Sequence, residues 1–261
     1  MTAPATGLGT VPVTPLDRGT GQERPRDPGD RPEAAPDRGP DRGPGQGPDR
    51  GPDLERLRAA VGEFARYGAA DRSWERLLLA TGPRVDPALA AHRRALLAWL
   101  NAWGCRLRYP RDGEPDVFGT ETAAWWDRWK ERLPGRDTTL ATLGDAQIDV
   151  LGACYADLSA MRAAPGARPR SLGPTAATKM LHALRPEALM PWDAAIADAL
   201  HGSRTADAYR AHLRLGREWA RRLLAEAGLG ERELAVRLGR PGRPLAKMLD
   251  DYCYLSFTAA T

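Results

Sequence analysis

Residues 170–198 read RSLGPTAATKMLHALRPEALMPWDAAIAD. A tight turn at Leu172-Gly173 leads into Pro174, whose fixed φ suits the first position of a helix. Ala177, Met180, Leu181 and Leu184 then recur at threes and fours, one face of a helix, while Thr175, Lys179 and His182 fall on the opposite side. The helix stops near Arg185, because Pro186 disfavours helical geometry in the residue before it. A loop ending Met190-Pro191-Trp192 follows, and Asp193 caps the next helix. The stretch therefore carries backbone N–H groups at one helix start, a polar face, and a carboxylate at a second helix start.

The same rhythm extends in both directions. Leu54, Leu57, Val61 and Phe64 step by three and four after an N-cap at Asp53. Leu96, Trp99, Leu100 and Trp103 form a stripe in a helix opened by Asp86-Pro87 and closed by Gly104. Ile148, Leu151, Tyr155, Leu158 and Met161 follow Asp145, and Tyr209, Leu213, Gly216, Ala220 and Leu223 follow Thr205. Shorter helices are predicted at 73–80, 121–132, 174–184, 194–201, 231–238 and 243–254. The segments 105–119 and 163–172, rich in Pro and Gly, read as loops. Seven Val and two Ile in the whole chain leave little for strands, whereas Ala, Leu and Arg favour helices. The expected fold is all-α, about ten helices in a two-lobed domain over 53–261, with lobes at 53–165 and 170–261.

The chain of 261 residues holds 38 Lys and Arg against 34 Asp and Glu. Residues 1–52 contain 11 Pro and 10 Gly, no aromatic side chain, and three copies of PDRGP at 36–40, 40–44 and 48–52. Such a composition cannot offset the entropy of ordering, so this tail is expected to be disordered. Its 7 Arg against 8 acids make it a poor nucleic-acid arm. It reads as a tether, a weak contact for polyanions, or a segment with no role of its own. All eight Trp and a net charge of +5 lie in 53–261.

No run of about 18 apolar residues is present, so no membrane span is expected. No signal or transit peptide is expected either. Cys105, Cys154 and Cys253 are widely spaced and suit a reducing cytoplasm rather than a disulfide framework. His92, His182, His201 and His212 form no HxxxH or HxH pair, so neither metal nor cofactor is expected.

Residues 170–198 resemble the helix-hairpin-helix DNA glycosylases. In that superfamily a hydrophobic-Gly turn opens a helix, and a Gly/Pro-rich loop then leads to a catalytic Asp that caps the next helix. The spacing from Gly173 to Asp193 matches the family's without a gap, and Pro191-Trp192-Asp193 looks like the end of its loop. Two departures stand out. Ser171 replaces the first of the two usual turn glycines, and Thr175 stands where bifunctional members carry a nucleophilic Lys. The resemblance thus implies either a monofunctional hydrolase or a hairpin kept without chemistry.

What it implies about the site follows residue by residue. Asp193 would stabilise the cation that develops on deoxyribose as the N-glycosidic bond breaks, and could orient or deprotonate water. Lys179, one turn beyond Thr175 on the same face, is a second candidate catalytic group. DNA is the implied partner, held by Arg168, Arg170, Ser171, Leu172, Gly173 and Thr175, with the amides of 173–175 on a phosphate. A flipped base needs aromatic walls, and Trp192, Trp125 and Trp126 are the candidates. Two rivals stand beside this reading. One is a non-enzymatic helical interaction domain that keeps the hairpin as scaffold; the other is an enzyme on a small molecule using the same pocket.

Overall fold

A chain rich in Ala, Leu and Arg and poor in β-branched residues should bury helix stripes against one another, and it does. In the computed structural model the described residues are 51–166 and 170–259. The expectations for the tail up to residue 50, and for Arg168, lie outside them. Ten α-helices are described: α1 (Leu54–Phe64), α2 (Gly68–Thr81), α3 (Ala90–Ala102), α4 (Val117–Trp129), α5 (Asp145–Ala160), α6 (Pro174–Leu184), α7 (Ala194–His201), α8 (Ala206–Ala227), α9 (Glu231–Arg237) and α10 (Leu245–Cys253). The chain widens to π-helical geometry over Tyr254–Thr258, directly after α10.

The helix ends follow local chemistry. Asp53 accepts from the Arg56 N–H at 2.8 Å and starts α1. Thr205 takes the Ala208 N–H at 3.3 Å and starts α8. Gly104, at φ 77°, closes α3: its N–H bonds the Asn101 carbonyl, and the Cys105 N–H reaches back to Leu100. Asp116 caps α4 through the Gly119 N–H at 2.8 Å, so the helix begins at Val117, four residues before the expected start at 121.

Three expectations need correction. Asp86-Pro87 does not open α3. The Asp86 carboxylate takes the Ala88 N–H at 3.0 Å in a tight turn of its own, and this local bond holds the chain out of the helix until Ala90. Residues 163–172 are not all loop: β1 (Arg162–Ala164) and β2 (Arg170–Ser171) pair antiparallel, with Arg162 opposite Ser171. So short a ladder leaves no periodicity in the sequence. Finally, Gly51 and Pro52 belong to the folded part rather than the tail. Pro52 is buried and its carbonyl accepts from Arg222 at 3.0 Å, while Gly51 lies against the Trp219 ring with no room for a Cβ.

One hydrophobic cluster runs through the described helices. α5 lies against α6 and α8, α2 against α3, and α1 against α10. The stretches 53–165 and 170–261 thus share a core. The first and last helices flank the same place as the end of α3, the middle of α6 and the start of α7, and that is where the candidate site lies.

Candidate functional site

Asp193 has an extended backbone, φ −108° and ψ −173°, the conformation an N-cap requires. Its Oδ1 takes the Ile196 N–H at 3.0 Å, and its Oδ2 accepts from the Thr258 hydroxyl at 2.9 Å. The carboxylate is half-buried. It is held from two sides, by its own helix and by the turn after α10, and lies on the wall of a cavity of about 260 Å³. The Thr178 hydroxyl ties the loop before it to α6, bonding the Trp192 carbonyl at 3.2 Å.

Lys179 lines the same cavity, one of the sequence-predicted pairs that the fold brings together. Its Nζ donates to the Trp103 carbonyl at 2.9 Å and lies 5.2 Å from that indole's centroid. Trp103 is fixed in turn by its own N–H, which donates to Ser73 Oγ at 2.7 Å. Phe64, Tyr67 and Tyr254 complete the aromatic wall and pack against one another at 5.5 to 5.9 Å between centroids. They come from the end of α1 and the turn after α10, which is why α1 must dock on α10 for the cavity to exist.

Lys247 and Asp250, on α10, also reach this cavity and had no place in the sequence reading. Lys247 is almost fully buried. Its Nζ lies 4.6 Å from the Phe64 ring centroid and 5.0 Å from that of Trp103, and bonds Asp250 Oδ2 at 2.7 Å and the Asp251 carboxylate. Burial alone would pull its pKa down; the two carboxylates outweigh that and raise it above the ordinary lysine value. The signal was present: Lys247, Asp250 and Asp251 stand at i, i+3 and i+4, one face of a helix, and Lys occurs only three times in the chain.

Other predicted residues go elsewhere. Trp125 is fully buried between α4 and α5, its N–H directed at the Cys154 carbonyl at 3.4 Å, and Trp126 is buried beneath Arg185; neither lines the cavity beside Asp193. Both belong to the apolar face of α4. Trp192 is 1% exposed and packed among Tyr155, Tyr209, His201 and His212, and only a fringe of it lines the cavity. His182 is buried rather than on a solvated face, its Nδ1 2.8 Å from the Leu189 carbonyl.

The turn at 171–175 is less open to a phosphate than its sequence implies. The Leu172 N–H donates to Met161 at 2.8 Å and the Gly173 N–H to Ser159 at 3.0 Å, while Pro174 has none. Of the amides at 173–175 only that of Thr175 is left for a ligand. Leu172 is buried; Ser171 and Arg170 are exposed, and Arg170 reaches the Arg106 carbonyl at 3.3 Å. The charged side chains on the cavity balance, Lys179 and Lys247 against Asp193 and Asp250.

His201 and His212 form a relay behind the site. His212 Nε2 lies 3.2 Å from the Pro191 carbonyl, which only accepts, so the proton sits on Nε2; Nδ1 then accepts from His201 Nε2 at 3.1 Å. Among the described residues no group of three or more His, Cys, Asp or Glu could hold a metal ion, and no helix is long and apolar enough to cross a membrane. No protein-family model matches the chain, and no curated protein or solved structure matches it.

Proposed function

We propose that the chain is a DNA glycosylase-like protein that binds DNA and hydrolyses the N-glycosidic bond of a damaged or modified base, with Asp193 as its catalytic carboxylate. The observation that carries this reading is the meeting of Asp193, a doubly braced helix-capping acid, and Lys179 on one aromatic-walled cavity. A carboxylate about 4 Å from a developing glycosyl cation, at an effective dielectric near 20, is worth roughly 4 kcal/mol, or about a thousandfold in rate. Lys179, anchored to Trp103, is placed to contact the substrate rather than to attack it, consistent with hydrolysis by water.

A small-molecule N-glycoside is the second reading, and specific observations favour it. The cavity falls below the roughly 300 Å³ at which ligand pockets usually begin, its charges balance, and the turn offers few free amides.

Base release from a panel of modified duplex oligonucleotides, run beside free nucleosides, separates the two. Asp193→Asn keeps the N-cap, because Asn caps as well as Asp, and is expected to lower release by about 10²- to 10³-fold with the fold intact. Full activity in that variant rejects the catalytic assignment. Release from nucleosides alone selects the small-molecule reading. DNA binding must also weaken steeply with added salt if several phosphates are held.

A further inference from the structure

A second cavity, about 400 Å³, lies on the other side of Trp103 and Lys247, between α2, α6 and the loop 239–244. We propose that it is a binding site for an amino-substituted nitrogen heterocycle of purine size, stacked along Trp74 and Trp103, with one N–H donated to His182 Nε2 and another to Glu75. Its volume falls within the range of small-molecule sites. This inference is independent of the chemistry assigned to Asp193, which does not line this cavity.

The argument starts from His182. It is 3% exposed, on α6, and its ring forms part of the cavity wall. Nδ1 faces the Leu189 carbonyl at 2.8 Å, so the proton is on Nδ1. Burial pushes the ring's pKa down to about 4, so at neutral pH Nε2 carries a bare lone pair. No side-chain hydrogen bond is made to it among the described residues, and its ring lines the cavity. A bound N–H would meet this acceptor directly, in place of solvent.

The charges around it decide what kind of molecule brings that N–H. The loop Gly239-Arg-Pro-Gly-Arg-Pro244 turns at Gly239 and Gly242, φ 75° and 78°, and thereby brings two arginines to Asp71. Arg240 bonds Asp71 at 2.5 Å and Arg243 bonds it at 2.7 Å, and Arg243 Nε also donates to Asp251 at 2.8 Å. Lys247 is already committed to Asp250 and Asp251. The guanidinium and ammonium groups are thus ion-paired, Arg243 Nη2 with Asp251 at 2.7 Å although without a hydrogen bond, so an anion would have to compete with three carboxylates, Asp71, Asp250 and Asp251. Glu75 is different: it is exposed on the rim and engages no cation in the described structure. Two acceptors, His182 Nε2 and Glu75, beside two indole rings select a flat ligand with two N–H donors. Trp74 already holds the ring plane, 5.7 Å from His182 and tilted by 39°.

Adenine is the probe, against N6,N6,9-trimethyladenine, which keeps the ring and loses every donor. With the full chain, adenine is expected to quench tryptophan fluorescence saturably and to move the His182 Nε2 resonance in ¹⁵N-histidine-labelled protein. The trimethyl compound is expected to bind at least about tenfold more weakly, the loss of one or more hydrogen bonds. Glu75→Gln should weaken adenine binding, and Asp193→Asn should leave it unchanged. Because His182→Phe strands the Leu189 carbonyl and can unfold the protein, the resonance shift in the unaltered chain is the decisive measurement. Equal binding of both purines, an unmoved His182 resonance, or no saturation at millimolar adenine overturns the proposal. So does inorganic phosphate that binds here and displaces adenine, which would make the loop an anion site.

Discussion

Lys247 shows how one side chain decides the geometry of both cavities. It stands between Phe64 and Trp103 on one side and Asp250 and Asp251 on the other, and lines both spaces. Its ammonium is tolerated in the core because two carboxylates and two aromatic faces replace the lost water. Lys247→Met would fill the same volume but leave two buried carboxylates facing each other's charge. The expected cost is about 3–5 kcal/mol of folding stability, the range for breaking a buried ion pair from one side. Adding Asp251→Asn to that variant should recover part of the loss, since it removes one stranded charge. Urea unfolding of the single and double variants measures both. A single variant as stable as the parent would mean that Arg243, also bonded to Asp251 and Asp71, carries the network alone.

At the level of elements, the helix ends were the most legible feature and the places where ends meet were the least. Asp53, Thr205 and Asp193 announce α1, α8 and α7, because a short oxygen-bearing side chain before an apolar run has a physical job there. Asp86 looks the same in sequence but spends its carboxylate on Ala88, and no local rule distinguishes the two uses. Trp125 and Trp126, expected as walls of a base pocket, lie instead against the core beside Cys154 and Arg185, because nothing local in the sequence says which neighbour covers them. Trp103 is the instructive case: it looked like one more apolar stripe residue, yet its position as the C-cap just after α3 makes it a wall of both cavities. Its place depends on Gly104, whose φ of 77° is strained for any residue with a Cβ. Gly104→Ala is expected to cost about 1–2 kcal/mol. It should also loosen the Lys179 contact to the Trp103 carbonyl, so on the proposed function base release should fall along with the urea midpoint. A variant that loses stability without losing activity would show that Trp103 is held by Ser73 and its ring contacts rather than by the helix end.

For the whole molecule, the shared core makes stability depend on two almost fully buried imidazoles, His182 and His212. Burial pulls the pKa of His212 down to about 3, helped by the neighbouring His201, and that of His182 to about 4, with Lys247 and Arg243 adding to the effect and Asp251 opposing it. In the unfolded chain both rings titrate near 6.5. The unfolded state therefore takes up protons below that value while the folded state does not, and stability must fall as pH drops from about 6.5 towards 4. Each ring contributes a loss of roughly 2 kcal/mol by pH 5. The structure also says where the strain would appear first. Protonating His212 at Nδ1 places a proton against the one His201 donates, and breaks the relay that ends on the Pro191 carbonyl, two residues before Asp193. Urea unfolding at pH 7 and pH 5 should differ by about 4 kcal/mol, and His212→Gln, which keeps a donor for Pro191 without a titrating ring, should shrink that difference by about half. A stability that is flat across this range would mean that both rings already carry their protons inside the fold, and that the carbonyls of Leu189 and Pro191 hold imidazolium rather than imidazole.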